Sequence, residues 1–215
     1  CLNWDGRRVM YTRRTDRVDH PPKISWSRGK SRSNRAVERI HRVFERDLSK
    51  PGEAAHELAY IPDADVNCYA GCYLPDGRIL FNSTRCMQIV DCWWTEVSNL
   101  YRCEADGSNI RRITFDQVHD NYPALTADGR VLYTRWEYND RSQMYPQPLF
   151  GMNVDGTSQR AVYGGNSWFP TTLIHARAVP GTSLFFGIAT GHHSLQPGEL
   201  MRFDLREGSE EAAGA

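Results

Sequence analysis

The chain has 215 residues, with 26 Lys+Arg against 26 Asp+Glu and hence a formal net charge of zero. A hydrophobic content of 40% with 24% charged residues excludes a disordered chain, and no run approaches the ~18 consecutive apolar residues of a membrane span. The neutral sum is unevenly spread: residues 1–50 carry 14 basic and 6 acidic side chains, while residues 51–215 carry 12 and 20.

Residues 1–13 read as part of a first repeat. Trp4-Asp5-Gly6-Arg7-Arg8-Val9-Met10-Tyr11 places an Asp-Gly pair between short runs that favour strands. No charged n-region or apolar h-region precedes it, so no signal peptide is read here. Together with the small-residue tail Ala212–Ala215, this points to a segment of a longer protein.

Residues 14–57 break the pattern as a basic, partly helical insertion. Ser33 or Asn34 caps an expected helix running to about Leu48, with Val37, Ile40, Phe44 and Leu48 on one face. Glu38 and Arg42 form an i,i+4 pair in it, and Pro51-Gly52 ends it. Residues 7–50 are basic with few aromatics, the pattern of a solvated face rather than a nucleic-acid site.

Residues 58–115, 116–165 and 166–215 read as three further repeats, the last incomplete. Pro75-Asp76-Gly77-Arg78-Ile79-Leu80-Phe81 returns 52 residues on as Ala127-Asp128-Gly129-Arg130-Val131-Leu132-Tyr133, and more weakly as Pro180–Phe186. A second series interleaves: Leu100–Ser108 recurs as Leu149–Thr157 and, weakened, as Leu200–Gly208. Asp and Gly tolerate the positive φ of a tight type I′ hairpin turn. Two hairpins per 52 residues give four strands per repeat, the unit of a β-propeller blade. In the central repeat the strands are expected near 121–126, 130–136, 149–154 and 158–163. A β-sandwich with chance similarity between hairpins is the alternative. The fold class is therefore all-β, a partial propeller of three to four blades in one truncated domain.

The series Tyr122–Tyr133 followed by Met152–Thr157 resembles the repeat of TolB-like propellers. Cys72–Ile79, Asn99-Leu100-Tyr101, Ala105–Arg112, Tyr133–Tyr138, His175–Gly181 and Gly191-His192-His193 are similar to the middle propeller domain of the hydrazine synthase alpha subunit-like family. The resemblance covers roughly residues 60–205. It implies a periplasmic or otherwise extracytoplasmic protein acting as a binding or scaffold module, with other domains of a longer chain and other proteins as its partners. The alternative it implies is one wall of a haem- or metal-dependent oxidoreductase, since the enzyme that names the family is a multihaem complex. Covalent c-type haem needs Cys-x-x-Cys-His. Here Cys68-x-x-x-Cys72 is followed by Tyr73, so any haem attachment is expected outside these residues and no catalytic residue is carried over.

Five cysteines, Cys68, Cys72, Cys86, Cys92 and Cys103, fall within 36 residues. Their spacings fit disulfides, with Cys86–Cys92 as a clip across a loop, or free buried thiols. A zinc site would need a second matched pair. His119-Asp120, His175 and His192-His193 recur near strand ends, and stacking of the repeats would turn them toward a common channel as a metal or haem pocket. Loop hydrogen bonding is their other reading. The aromatics, among them Trp93, Trp94, Trp136, Trp168, Tyr133 and Phe185, are expected to fill the space between blades.

Overall fold

A computed structural model describes residues 1–18, 39–58, 66–90, 95–138, 145–191 and 197–215. These residues form fourteen strands and no helix. β1 (Arg8–Val18), β2 (Arg39–Asp47) and β3 (His56–Glu57) make the first sheet. β4 (Cys68–Tyr73), β5 (Ile79–Ser83), β6 (Asn99–Cys103) and β7 (Arg111–Arg112) make the second. β8 (Asp120–Leu125), β9 (Val131–Arg135), β10 (Leu149–Met152) and β11 (Arg160–Tyr163) make the third. β12 (Thr172–Ala178), β13 (Leu184–Thr190) and β14 (Glu199–Asp204) make the fourth. Every sheet is an antiparallel meander in chain order. The four strands expected in the central repeat are present as β8 to β11.

The expected helix up to Leu48 is not formed. Residues 39–47 are a strand paired with β1 from Arg8↔Asp47 to Val18↔Arg39, and the helix's earlier part falls in residues 19–38, outside the described residues. An i,i+4 spacing such as Ile40 to Phe44 fits a two-residue period as well as a helical one, so it could not separate the two. Arg42, Val43, Phe44 and Glu45 are buried in succession, more than one helical stripe would carry. Arg42 has no exposed surface and lies 3.6 Å from Glu57 of β3. Glu45, also buried, accepts a 2.6 Å hydrogen bond from the Tyr73 hydroxyl on β4. Buried charge survives in this strand because cross-strand and cross-sheet partners meet it.

The Asp-Gly turns differ from the expected type I′. Only the glycine takes a positive φ: 84° at Gly77, 83° at Gly107, 79° at Gly129 and 90° at Gly156. Gly77 N–H donates to Leu74 O (3.0 Å) while Leu74 N–H donates to Arg78 O (2.8 Å). The same pair of bonds recurs at Gly107, Gly129 and Gly156. This is a four-residue turn closed by a glycine bulge. The aspartate serves another purpose: its carboxylate accepts the N–H two residues on, from Arg78, Ser108 and Thr157 at 2.9–3.1 Å.

Adjacent sheets pack through three apolar cores. Met10 and Val43 meet Phe81 and Tyr101; Leu80 and Leu100 meet Tyr133 and Phe150; Leu132 and Leu149 meet Phe185 and Phe203. The second, third and fourth sheets thus each turn an aromatic cross-strand pair toward the sheet before, and the first, second and third turn aliphatic side chains toward the sheet after. Polar clamps reinforce the joints. Asn82 Nδ2 donates to Asp120 O (2.5 Å), and Thr134, at the matching register position, donates its hydroxyl to Leu173 O (2.7 Å).

Candidate functional site in the channel between first strands

The first strands of the sheets, β1, β4, β8 and β12, lie side by side and bound a cavity of about 630 Å³. A shared irregularity shapes it. Pairing slips between Tyr69↔Asn82 and Cys72↔Leu80, between Asn121↔Thr134 and Ala124↔Leu132, and between Ile174↔Ile188 and Arg177↔Phe186. One extra residue in each of β4, β8 and β12 makes a β-bulge, which kinks the strand and re-aims its side chains. At the bulges Ala70, Tyr122 and His175 take φ of 51°, 58° and 55°. Left-handed backbone at a non-glycine residue costs on the order of 1 kcal/mol, and such positions gather at functional surfaces. All three line the cavity. Gly71 and Pro123, equivalent residues that follow the first two bulges, are the sequence signal for them, because both residue types mark irregular strands.

The walls have distinct chemistry. Tyr122 packs on the His175 ring with centroids 4.2 Å apart. Tyr11 and Thr12 of β1 face the cavity, as does Trp4. The Thr12 hydroxyl also accepts the Ala70 N–H at 3.0 Å, tying the first sheet to the second at the bulge. Arg177 completes the β12 wall. Burial first, and the Arg177 charge second, lower the His175 pKa from its usual 6.5, so the imidazole is neutral at pH 7. Sequence reasoning singled out His175 but passed over Tyr11, Thr12, Tyr122 and Arg177.

His119 and Asp120 lie elsewhere, before the bulge and outside the cavity lining. His119 Nδ1 accepts the Ser98 N–H at 3.1 Å, and its ring sits 5.5 Å from that of Trp136. Burial pulls its pKa down to about 4. Asp120 is fully buried and pairs with Arg135 Nε at 3.0 Å, a guanidinium that Asp116 shares at 2.9 Å. Burial, which the Arg135 charge opposes, pushes the Asp120 pKa up to about 6. Both residues therefore serve the joint between the second and third sheets. His192 and His193 lie outside the described residues, as do Trp93 and Trp94.

The cysteines form no disulfide among the described residues. Cys68 and Cys72 are four apart on β4, but the bulge between them sends their thiols into different cores, so they do not converge on one metal ion. Cys103 shares a core with Cys68 but lies beyond β5, near Ile79 rather than Ser83. Two strand spacings of ~4.8 Å already exceed what a disulfide spans. Cys86 donates its S–H to Val97 O, and Cys92 lies outside the described residues. Burial raises the Cys68 thiol and pushes those of Cys72 and Cys103 up to about 12, which keeps all three protonated and unreactive. No group of three or more His, Cys, Asp or Glu side chains is placed to hold a metal ion among the described residues.

Comparison with solved structures fixes the architecture. The hydrazine synthase of Kuenenia stuttgartiensis superposes over 97% of this chain and 31% of its own, at 14% identity and a TM-score of 0.71. The fold is β-propeller-like. A putative TolB from Agrobacterium tumefaciens agrees over 96% of this chain and 61% of its own, at 12% identity and a TM-score of 0.62. A puromycin-hydrolyzing peptidase of Mycobacterium tuberculosis covers 95% of the chain with 27% of its own, at 12% identity and a TM-score of 0.54. No family model matches the chain, and no curated protein matches it by sequence. The four sheets are therefore propeller-type blades, and the chain spans less than a third of the hydrazine synthase chain and less than two thirds of the TolB. No helix among the described residues is long and apolar enough to cross a membrane.

Proposed function

We propose that this chain is a binding and scaffold module of the TolB-like, hydrazine synthase alpha subunit-like kind, working outside the cytoplasm. Its blades form a rigid support for neighbouring domains or proteins, and its channel face receives a ligand. The observation that carries this reading is the convergence of three bulged first strands on one cavity. Strained backbone repeated at one register, beside a concavity of a few hundred Å³, is the usual build of a recognition site. The alternative, a wall of a haem or metal enzyme, has less support in the described residues: the cavity offers one imidazole, His119 is committed to the Ser98 N–H, Cys68, Cys72 and Cys103 are buried in the cores, and no group of three or more His, Cys, Asp or Glu side chains converges.

A thermal-shift panel of small acids, bases and neutral molecules tests the binding reading. A ligand present at 100 times its Kd adds about 2.7 kcal/mol of stability, which raises Tm by several degrees for a chain of this size. At least one chemical class is expected to do so in the wild type and to lose its effect in Tyr122→Ala. A panel without any stabilising compound overturns the reading.

A further inference from the structure

The charge on the cavity wall is one-sided. Among the described residues no aspartate or glutamate lines it, whereas the Arg177 cation and the neutral imidazole of His175 face it from β12. Arg177 makes no ion pair among the described residues, and its recorded hydrogen bond is from one Nη to the carbonyl of its own neighbour Ala176, at 2.8 Å. A guanidinium carries five donors in a planar fork that matches a carboxylate or phosphate edge. Other arginines show what neutralisation looks like: Arg78 meets Asp76 and Glu104, Arg135 meets Asp116 and Asp120, and Arg206 meets Asp204. Arg177 also replaces Cys72 and Ala124, which hold the matching bulge positions of the preceding blades. The repeat alone thus supplies no packing reason for a cation there.

The remaining wall is flat and aromatic. Tyr122 already packs on the His175 ring at an interplanar angle of 50°, and Tyr11 and Trp4 face the same space. Thr12 and Asn3 add polar groups at the side of β1. From this arrangement we infer that the channel cavity binds a planar organic oxyanion, its charged edge on Arg177 and its unsaturated body against Tyr122 and Tyr11. The assignment rests on the binding reading above and narrows it to one ligand class. The polar edge of such a ligand takes a charge-assisted pair of hydrogen bonds, and the ring replaces water on apolar surface.

The experiment is calorimetric titration of the full chain with benzoate, phenyl phosphate, benzamide, benzylamine and acetate. Benzoate or phenyl phosphate is expected to bind at least ~10-fold more tightly than benzamide, the difference expected for losing a hydrogen bond to a charged group. Whichever of the two binds better identifies the oxyanion. Arg177→Gln should abolish the preference for the anion over benzamide, Arg177→Lys should restore part of it, and Tyr122→Leu should weaken benzoate without weakening acetate. Arg177 is exposed, so its variants are expected to keep the wild-type Tm, which serves as the folding control. Equal binding of benzoate and benzamide, or an Arg177→Gln variant with unchanged benzoate affinity, overturns the assignment. Acetate binding as tightly as benzoate overturns the planar part of it. If benzylamine or a neutral compound is instead the tight binder, the oxyanion assignment falls while the binding module stands.

Discussion

At the scale of single residues, His119 and Asp120 pull the stability of the second joint in opposite directions with pH. His119 has its folded pKa depressed from 6.5 to about 4 by burial. The stability it contributes is present above 6.5 and is lost as the pH falls through 4. Asp120 has its folded pKa raised from 3.8 to about 6. Its contribution is present below 3.8 and is lost as the pH rises through 6. At 1.36 kcal/mol per pKa unit, each swing is about 2–3 kcal/mol between pH 7 and pH 4, so the two nearly cancel. Urea unfolding at pH 7 and pH 4 exposes them separately. Relative to wild type, Asp120→Asn is expected to lose about 2–3 kcal/mol on acidification, and His119→Gln, which keeps an acceptor for the Ser98 N–H, to gain a similar amount. The sequence could place these residues and His175 near the same stage of their repeats, yet not on which side of a bulge each one falls. That difference of two or three positions puts one in the channel and the others in a blade joint.

At the scale of elements, the hairpin turns were legible because glycine is needed at their one left-handed position. Their type was not, since Asp-Gly suits several turns and the bulge closure depends on the flanking pairing. The four turn glycines share a backbone shape but not a setting. A Cβ on Gly77 meets nothing within 4 Å, whereas one on Gly156 lies 2.7 Å from the Ile113 carbonyl oxygen of the preceding blade. Gly77→Ala is therefore expected to cost only the left-handed backbone penalty, roughly 1–2 kcal/mol. Gly156→Ala adds a backbone clash and should cost clearly more, read as a larger drop in the denaturation midpoint at unchanged m-value. The strand β2 escaped the sequence for a related reason. Its buried Arg42 and Glu45 look like a helix's polar face until their partners Glu57 and Tyr73, distant in sequence, are in place.

At the scale of the whole molecule, the repeat period carried most of the fold, and the fourth blade shows what a period means physically. Leu100, Leu149 and Leu200 pair with Asn82, Thr134 and Ile188 at one register position. The first two leucines have no exposed surface because the next blade covers them, while Leu200 is 73% exposed. Phe186, in the place of the buried Leu80 and Leu132, is 39% exposed. Ile188 stands where Asn82 and Thr134 reach for the carbonyl of a following blade. Leu100→Ala and Leu149→Ala should each cost about 2–5 kcal/mol, the usual range for an emptied core leucine. Leu200→Ala should stay within about 0.5 kcal/mol, as at a surface site, when all three are compared by urea unfolding. One repeated letter thus carries three different energies.

Each blade touches only the blade before it and the blade after it among the described residues. Stability in such an array is a sum of units and of the seams between neighbours. Damage to one seam therefore leaves the distant ones at full strength. The interior blades are secured from two sides and the outer ones from one, so fraying starts at the flanks and stops where it meets an intact joint. The channel draws its wall from several blades at once, and its shape registers the closure of all three joints together.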